Sequence, residues 1–217
     1  MKQIKYFLSV FLISNILAYI LYFQRADLRG LLELEDDLLE NLTALCFLAA
    51  GILATYLALR EKTNRGWLIF VAALGFIGFL DEVGFGSRYF GFSTPVIADK
   101  PIDSIHDIPV ALAKLVLRGW QDSILPTTLA ALATLIVLTI VIWKHGKAIL
   151  GFLSRHLKYP PLILILLSAA LIALAILLDA DFIHLELLVV LEEMFELNAA
   201  IALIFCAWSL KQRTNGL

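Results

Sequence analysis

The chain has 217 residues, of which 61% are hydrophobic and 17% are charged, and its formal net charge is −2. This composition excludes a soluble protein that merely carries an anchor, and it predicts one integral membrane domain over residues 1–217. The basic residues stand in small groups beside apolar runs, so nucleic acid is not an expected partner. Membrane lipid is the expected partner, and no feature of the sequence indicates a protein partner.

Six apolar runs follow one another along the chain, each close to the roughly 20 residues that a helix needs to cross a bilayer. Continuous runs of this length predict helices, because the strands of a membrane β-barrel alternate over about ten residues. Pro160 and Pro161 fit the first turn of the fifth helix. The expected fold is all-α, a polytopic membrane bundle of six transmembrane helices. The predicted spans are residues 6–23, 40–59, 67–85, 124–143, 162–178 and about 190–210.

The first run, residues 6–23, follows Lys2 and Lys5 and so has the charge order of a signal peptide. It is longer than the usual apolar region of such a peptide, and no small-x-small cleavage site follows it. We therefore interpret this run as an uncleaved first span.

The Lys and Arg residues divide unequally between alternate linkers. Eleven of the 17 share their side with a single acid, Glu61, whereas the other six share theirs with all the remaining acids. The positive-inside rule makes the basic side cytoplasmic. We expect a multi-pass protein of the bacterial cytoplasmic (inner) membrane with both termini in the cytoplasm. The basic residues on the cytoplasmic side are Lys2, Lys5, Arg60, Lys62, Arg65, Lys144, Lys147, Arg155, Lys158, Lys211 and Arg213.

The longest linker, residues 84–122, lies on the predicted outer side. Its first part is rich in glycine and predicts turns. From Asp107 onward the pattern becomes amphipathic, and Asp107 before Pro109 resembles a helix start. We expect an extracytoplasmic interfacial helix there, with Trp120 as its anchor at the membrane boundary.

The length of the sixth helix places carboxylates inside the membrane. If this helix began after its last acid, Glu196, it would cover residues 197–210, or about 21 Å. The apolar core of a bilayer is roughly 30 Å thick, so the helix must extend back through Glu193 and Glu192 to about Val190. Carboxylates at that depth cost up to a few kcal/mol each and should face the bundle interior or a wet cavity.

Acids from several predicted helices, including Asp179 and Asp181 at the end of the fifth, arrive at one level near the outer membrane boundary. Glu40 stands at the outer end of the second span, Asp81 and Glu82 at that of the third, and Glu193 and Glu196 in the sixth. The helix dipole disfavours acids at a C-terminus, so it does not explain Asp81 and Glu82. Acids that cannot all pair with bases are stabilised by a bound cation, or by shared protons with raised pKa values.

Arg88 and His106 follow in the outer linker. Arg88 can neutralise one carboxylate in a structural ion pair, or it can hold an anionic substrate group. Acid clusters favour Mg, Ca or Mn, and one histidine among them also admits Zn or Fe, so the candidate cofactor is a divalent metal. The predicted metal ligands are Glu40, Asp81, Glu82, His106, Glu193 and Glu196; the predicted catalytic residues are Glu82, His106 and Glu193; the predicted substrate-binding residue is Arg88.

Four polar elements stand in order along residues 35–196. They are Glu35-Asp36-x-x-x-Glu40, Asp81-Glu82-Val83-Gly84-Phe85-Gly86-Ser87-Arg88, His106-Asp107 and Glu192-Glu193-Met194-Phe195-Glu196. They resemble the E-D-x-x-x-E, E-E-I-S-W-G-Q-R, H-N and E-E-x-x-E elements of a group of uncharacterised bacterial multi-pass membrane proteins. Asp81, Gly84 and Asp107 depart from the Glu, Ser and Asn of that group, so position 84 offers no serine nucleophile. The resemblance implies that the polar elements belong together, and it implies no particular reaction.

These observations lead to one main hypothesis and two alternatives. The main hypothesis is an extracytoplasmic carboxylate, histidine and arginine site that acts as a metal- or proton-dependent hydrolase or transferase on a lipid or lipid-linked substrate. The first alternative is a non-enzymatic assembly or sensor protein whose acids form a structural polar network. A cation or proton transporter ranks third, because no acid continues a pathway through the cytoplasmic half.

Overall fold

The computed structural model of the chain describes residues 2–25, 38–97, 100–102, 159–179 and 186–212, with isolated positions at 27–32, 104–115 and 140–151. Five long helices and one short helix form within the described residues, and the predicted all-α class is confirmed. In chain order the helices are α1 (Lys2–Gln24), α2 (Leu38–Arg60), α3 (Arg65–Glu82), α4 (Ser87–Phe90), α5 (Pro160–Asp179) and α6 (Glu186–Gln212).

Three of these segments are long and apolar enough to cross a membrane: α1, α2 and Pro160–Leu178 of α5. These three helices indicate a membrane protein. The fifth helix begins at Pro160, as predicted. The sixth extends back beyond its glutamates, also as predicted, and it begins at Glu186, four residues before the predicted start. The predicted fourth span, residues 124–143, lies outside the described residues except for Ile140.

Helices α2 and α3 form an antiparallel pair whose backbones meet at glycines. A Cβ atom placed on Gly75 would lie 2.5 Å from the backbone nitrogen of Gly51 and 2.9 Å from the carbonyl oxygen of Phe47. One turn further along α3, a Cβ on Gly78 would lie 2.5 Å from the ring of Phe47. Small residues at such contacts let membrane helices pack at short range. These contacts also set the register, with Phe47 opposite Gly78.

Helix α6 occupies the centre of the bundle and contacts α1, α2, α3 and α5. Asn198, Ala199 and Ala200 near its middle are fully buried. The Ser168 hydroxyl of α5 donates to the carbonyl oxygen of Ala199 at 2.9 Å, and the Ser14 hydroxyl of α1 donates to Asn198 Oδ1 at 3.2 Å. Hydrogen bonds between helices satisfy polar groups that hydrocarbon leaves without water. Polar contacts thus tie α6 to both neighbours at mid-bundle.

The linkers that are predicted to be cytoplasmic contact one another at one end of the bundle. At one end, Asn64 between α2 and α3 donates from Nδ2 to the carbonyl oxygen of Leu210, and the Tyr159 hydroxyl before α5 donates to Asn64 Oδ1. The rings of Tyr6 and Trp208 stack nearby, with centroids 6.4 Å apart. The chain segments predicted to be cytoplasmic therefore lie at one end of the bundle.

The linker that is predicted to lie outside contains a short hairpin that the sequence did not reveal. Strands β1 (Val96–Ile97) and β2 (Lys100–Pro101) pair antiparallel, with Val96 opposite Pro101. Two-residue strands are too short to produce an alternating pattern. The described positions of the predicted interfacial helix are Ile108, Ala111, Leu112 and Leu115, and all four are helical; Ala111 is buried and the other three are exposed. Its predicted anchor, Trp120, lies outside the described residues.

Candidate functional site

Glu82 ends the buried stripe of α3. This stripe contains Leu68, Ala72 and Gly75, and Glu82 follows Gly75 after seven residues, two helical turns. The Glu82 side chain is 5% exposed, whereas Leu80 on the other face is 44% exposed. The acid therefore faces the inside of the bundle although an apolar side chain nearby faces outward.

Two glutamates of α6 lie on an equally buried stripe. Glu193 and Glu196 precede Ala200, Leu203 and Ala207 at helical spacings of three and four residues. Glu196 is 7% exposed, Glu193 is half-buried, and the three apolar residues are almost completely buried. Glu196 lies about 15 Å along the helix axis from the first residue of α6. Both carboxylates thus belong to the interior side of the helix.

The register of α2 and α3 sets the level of Glu82 in the bundle. Glu82 follows Gly78 by four residues, and Thr43 precedes Phe47 by four. The helices are antiparallel, and Gly78 of α3 lies against Phe47 of α2. One helical turn from this contact, toward the same end of the bundle, Glu82 of α3 is therefore level with Thr43 of α2. Glu40, which is half-buried, lies one turn nearer the outer end of α2.

The acids of α6 lie near the same level. Leu39 of α2 packs in one cluster with Met194 of α6. Glu193 and Glu196 flank Met194 along the chain, and α6 contacts both α2 and α3. The acidic layer, defined here as Glu82, Glu193 and Glu196, therefore lies where α2, α3 and α6 meet.

A left-handed turn directly follows Glu82. The prediction that the third helix continues to Phe85 is wrong, since α3 ends at Glu82. Gly84, Phe85 and Gly86 all have positive φ, at 56°, 50° and 91°, and the Gly86 amide donates to the carbonyl oxygen of Val83 at 2.8 Å. Glycine adopts this conformation readily, but for phenylalanine it costs about 1–2 kcal/mol. Such strain is typical of functional segments.

This turn leads into α4, which contains Arg88. The backbone of Arg88 is helical, and its side chain lies outside what the structure describes. The predicted pairing of Arg88 with an acid or a substrate stays a prediction.

Asp81 connects the end of α3 to the outer linker. Its Oδ1 atom accepts a hydrogen bond from the amide of Ile105, 24 residues further along the chain. Ile105 immediately precedes His106, which lies outside the described residues. The segment that leads to His106 is therefore held against the end of α3, next to Glu82 in sequence.

Two polar residues near the acidic layer, Thr43 and Arg29, are not among the site residues predicted from the sequence. Thr43 is fully buried, and its hydroxyl has no hydrogen-bond partner among the described residues. Arg29 donates from Nε to the carbonyl oxygen of Tyr22 at 2.8 Å, and its guanidinium carbon lies 5.1 Å from the centre of the Tyr22 ring. Tyr22 belongs to the same buried cluster as Met194, so Arg29 lies near this region. Only the spacing of Thr43, three residues after Glu40, could have indicated it.

Not every outer acid belongs to this region. Asp27 is exposed and forms a two-pronged ion pair with Arg25, with nitrogen–oxygen distances of 2.9 and 2.8 Å. The hydrogen bonds from Arg25 hold the pKa of the Asp27 carboxyl below its ordinary value. Exposed ion pairs contribute little to stability, so Asp27 is an ordinary surface charge, as its loop position predicts.

The metal-binding hypothesis gains no direct geometric support. Within the described part of the chain, no group of three or more His, Cys, Asp and Glu side chains is arranged to hold a metal ion. Of the predicted ligands, Glu40, Asp81, Glu82, Glu193 and Glu196 are all described, and His106 is not.

The described residues form a helical bundle with three candidate membrane spans and buried carboxylates. No family model matches the chain, and neither a curated protein nor a solved structure matches it. These findings are consistent with the resemblance to an uncharacterised group, and they leave its four motifs untested.

Proposed function

We propose that the chain is a six-span protein of the bacterial inner membrane with a polar site at its extracytoplasmic end. In this proposal α3, α6 and residues 124–143 cross the membrane together with the three apolar helices. The site consists of Glu40, Asp81, Glu82, Arg88, His106, Glu193 and Glu196. It acts on a lipid or lipid-linked substrate by hydrolysis or group transfer.

The observation that supports this proposal is the burial of Glu82 and Glu196 on two helices, α3 and α6, that contact each other. Their side chains are 5% and 7% exposed. Carboxylates inside a membrane are costly and usually mark a functional site. Two of them at one level are stabilised by a divalent cation or by sharing protons, and both arrangements support acid–base chemistry.

Each residue has a distinct part in the proposed reaction. Glu82, Glu193 and His106 transfer protons to and from the attacking water and the leaving group. Arg88 holds an anionic group of the substrate, as guanidinium groups do with phosphates and carboxylates. A divalent metal held by the carboxylates would polarise the ester or phosphate. An interfacial helix from Asp107 onward, which the sequence predicts, suits a lipid substrate.

The proposal predicts both a bound ligand and a reaction. Purified protein should contain about one divalent metal per chain in elemental analysis, or else show the infrared band of a protonated carboxyl at pH 7. In vesicles of phosphatidylethanolamine and phosphatidylglycerol, mass spectrometry should detect a converted lipid. Glu193→Gln should lower that turnover at least about 100-fold, as expected when an acid–base group is lost. A protein with neither metal nor protonated carboxyl would contradict the proposal.

The proposed orientation makes a separate prediction. In intact cells, a membrane-impermeant maleimide should label a cysteine introduced at Lys100 but not one at Lys62 or Lys147, since Lys and Arg are retained inside. Permeabilised cells should show labelling at all three positions. The unsubstituted protein is the control for Cys46 and Cys206. External labelling at position 62 would contradict the location of the site.

A structural role is the second candidate, and the hydrogen bond from the Ile105 amide to Asp81 favours it. In this role the acids fasten linkers to helix ends and catalyse nothing. A buried polar network can also fix helix pairing. The stability of variants at Glu82, considered in the Discussion, separates the two roles.

A further inference from the structure

Thr43 lies at the junction of three helices. It is on the face of α2 that continues to Phe47, where α2 meets Gly78 of α3. It is also one turn from Leu39, which packs with Met194 of α6. The Thr43 side chain is completely buried, at 0% exposure. Its hydroxyl is therefore enclosed by the helices that carry the acidic layer.

The hydroxyl of Thr43 differs from those of Thr55 and Ser168 in its hydrogen bonding. Thr55 on the same helix donates to the carbonyl oxygen of Gly51 at 2.8 Å, and Ser168 donates to that of Ala199 at 2.9 Å. Among the described residues, Thr43 Oγ1 has no such partner. A buried hydroxyl without a hydrogen bond is unfavourable, and native structures usually explain such a group by a ligand, an ion or a water. A ligand between Thr43 and the acidic layer would satisfy it.

We propose that Thr43 Oγ1 is a ligand of a divalent cation held between α2, α3 and α6, together with carboxylate oxygens of Glu82 and Glu196. The inference rests on the proposed site and adds to it a neutral ligand from α2. Two carboxylates carry the charge that a divalent ion neutralises. Carboxylate and hydroxyl oxygens suit the hard cations Mg²⁺, Ca²⁺ and Mn²⁺, and water completes their shells.

The ligand set explains why the acids can be buried so deeply. A divalent ion between Glu82 and Glu196 would balance the negative charge of both carboxylates inside the membrane. The Thr43 hydroxyl would supply a further oxygen ligand to the cation without adding negative charge. The cation would then act on a substrate that enters from the outer end.

Titration of the full-length protein with Mn²⁺ in detergent tests this inference. Binding is measured as the loss of the electron-spin-resonance signal of free Mn²⁺. Thr43→Val keeps the shape of the side chain and removes the hydroxyl, and it should weaken Mn²⁺ binding about 10- to 100-fold, the usual range for groups that support a metal site. Thr43→Ser should restore binding. Thr55→Val, on the same helix but hydrogen-bonded to Gly51, is the matched control and should bind Mn²⁺ like the unsubstituted protein.

Thermal unfolding of the same samples gives a second readout. Without metal, Thr43→Val should unfold at the same or a higher temperature, since it removes an unsatisfied hydroxyl. With metal, it should lose the stabilisation that Mn²⁺ gives the unsubstituted protein. If Thr43→Val impairs insertion, Thr43→Ala removes the same hydroxyl without adding a methyl group.

The possible results are distinct. If Glu82→Gln abolishes Mn²⁺ binding while Thr43→Val retains it, the role of Thr43 is wrong and the proposed site stands. If the unsubstituted protein binds none of Mn²⁺, Mg²⁺ and Ca²⁺, the cation inference is wrong; protonated carboxyls in the infrared spectrum would then still support the proposed site. If Thr43→Val lowers the unfolding temperature without metal, the hydroxyl serves packing and the inference is overturned.

Discussion

Gly75→Ala is expected to destabilise the protein by about 1–3 kcal/mol, the usual cost of forcing an extra methyl group into a packed interior. The new Cβ would lie 2.5 Å from the nitrogen and 2.8 Å from the Cα of Gly51. Both are backbone atoms, so no side chain can rotate away and the helices must separate. The apparent unfolding temperature in detergent, measured at one scan rate because unfolding of such proteins is often irreversible, reports the loss.

Gly66→Ala is the matched control on the same helix. A Cβ at Gly66 has no heavy atom within 4 Å among its described neighbours, and Gly66 is exposed. Alanine is favoured over glycine in helices by up to about 1 kcal/mol, so this variant should be unchanged or slightly more stable. Equal unfolding temperatures for the two variants would mean that α2 and α3 do not meet at Gly75. Glu82 lies on the same helix, two turns beyond Gly75 and one turn beyond Gly78. Separating α2 from α3 by Gly75→Ala should therefore also weaken metal binding or activity.

Glu82→Gln has opposite expected effects under the two candidate functions. In a metal or acid–base site, the change removes one of several negative charges and relieves repulsion, so stability should hold or rise while bound metal or activity is lost. In a structural pair with Arg88, the change leaves a buried charge uncompensated, which costs roughly 3–5 kcal/mol. Our proposal expects the first result. Unfolding temperature and metal content, measured on one preparation, report both effects.

Two further variants complete this comparison. Asp27→Asn removes an exposed acid whose side chain is 62% accessible, so it should change neither quantity measurably. In the structural role, Glu82→Gln would leave the charge of Arg88 unpaired, and Arg88→Met removes that charge. If Glu82→Gln causes a large loss of stability and Arg88→Met reverses it, the structural role is correct and the enzyme proposal is withdrawn.

Much of the secondary structure could be predicted from the sequence, because a bilayer leaves a long apolar chain few alternatives. Backbone groups without water must bond within their own segment, so apolar runs of about twenty residues form helices. The same argument placed Glu193 and Glu196 inside the sixth helix, which begins at Glu186. The paired prolines marked the start of α5 at Pro160.

The faces of these helices could not be predicted in this way. Residues that face lipid and residues that face other helices are both apolar, so the runs show almost no amphipathic period. The sequence therefore did not indicate that Glu82 continues the buried stripe of α3. It also did not indicate that Gly75 meets Gly51, since this contact depends on the register of two helices rather than on either one.

The sequence by itself determined the class of the protein, the positions of its apolar helices and the supply of acids near their ends. Only the tertiary structure decided which of those acids are buried, that α3 stops at Glu82 before a left-handed turn, and that Thr43 is enclosed at the same level. The physical reason is that a segment surrounded by hydrocarbon must form its backbone hydrogen bonds within itself, so its own sequence determines that it is a helix. The environment of each side chain, by contrast, depends on close contacts between distant segments, which small residues such as Gly51 and Gly75 allow.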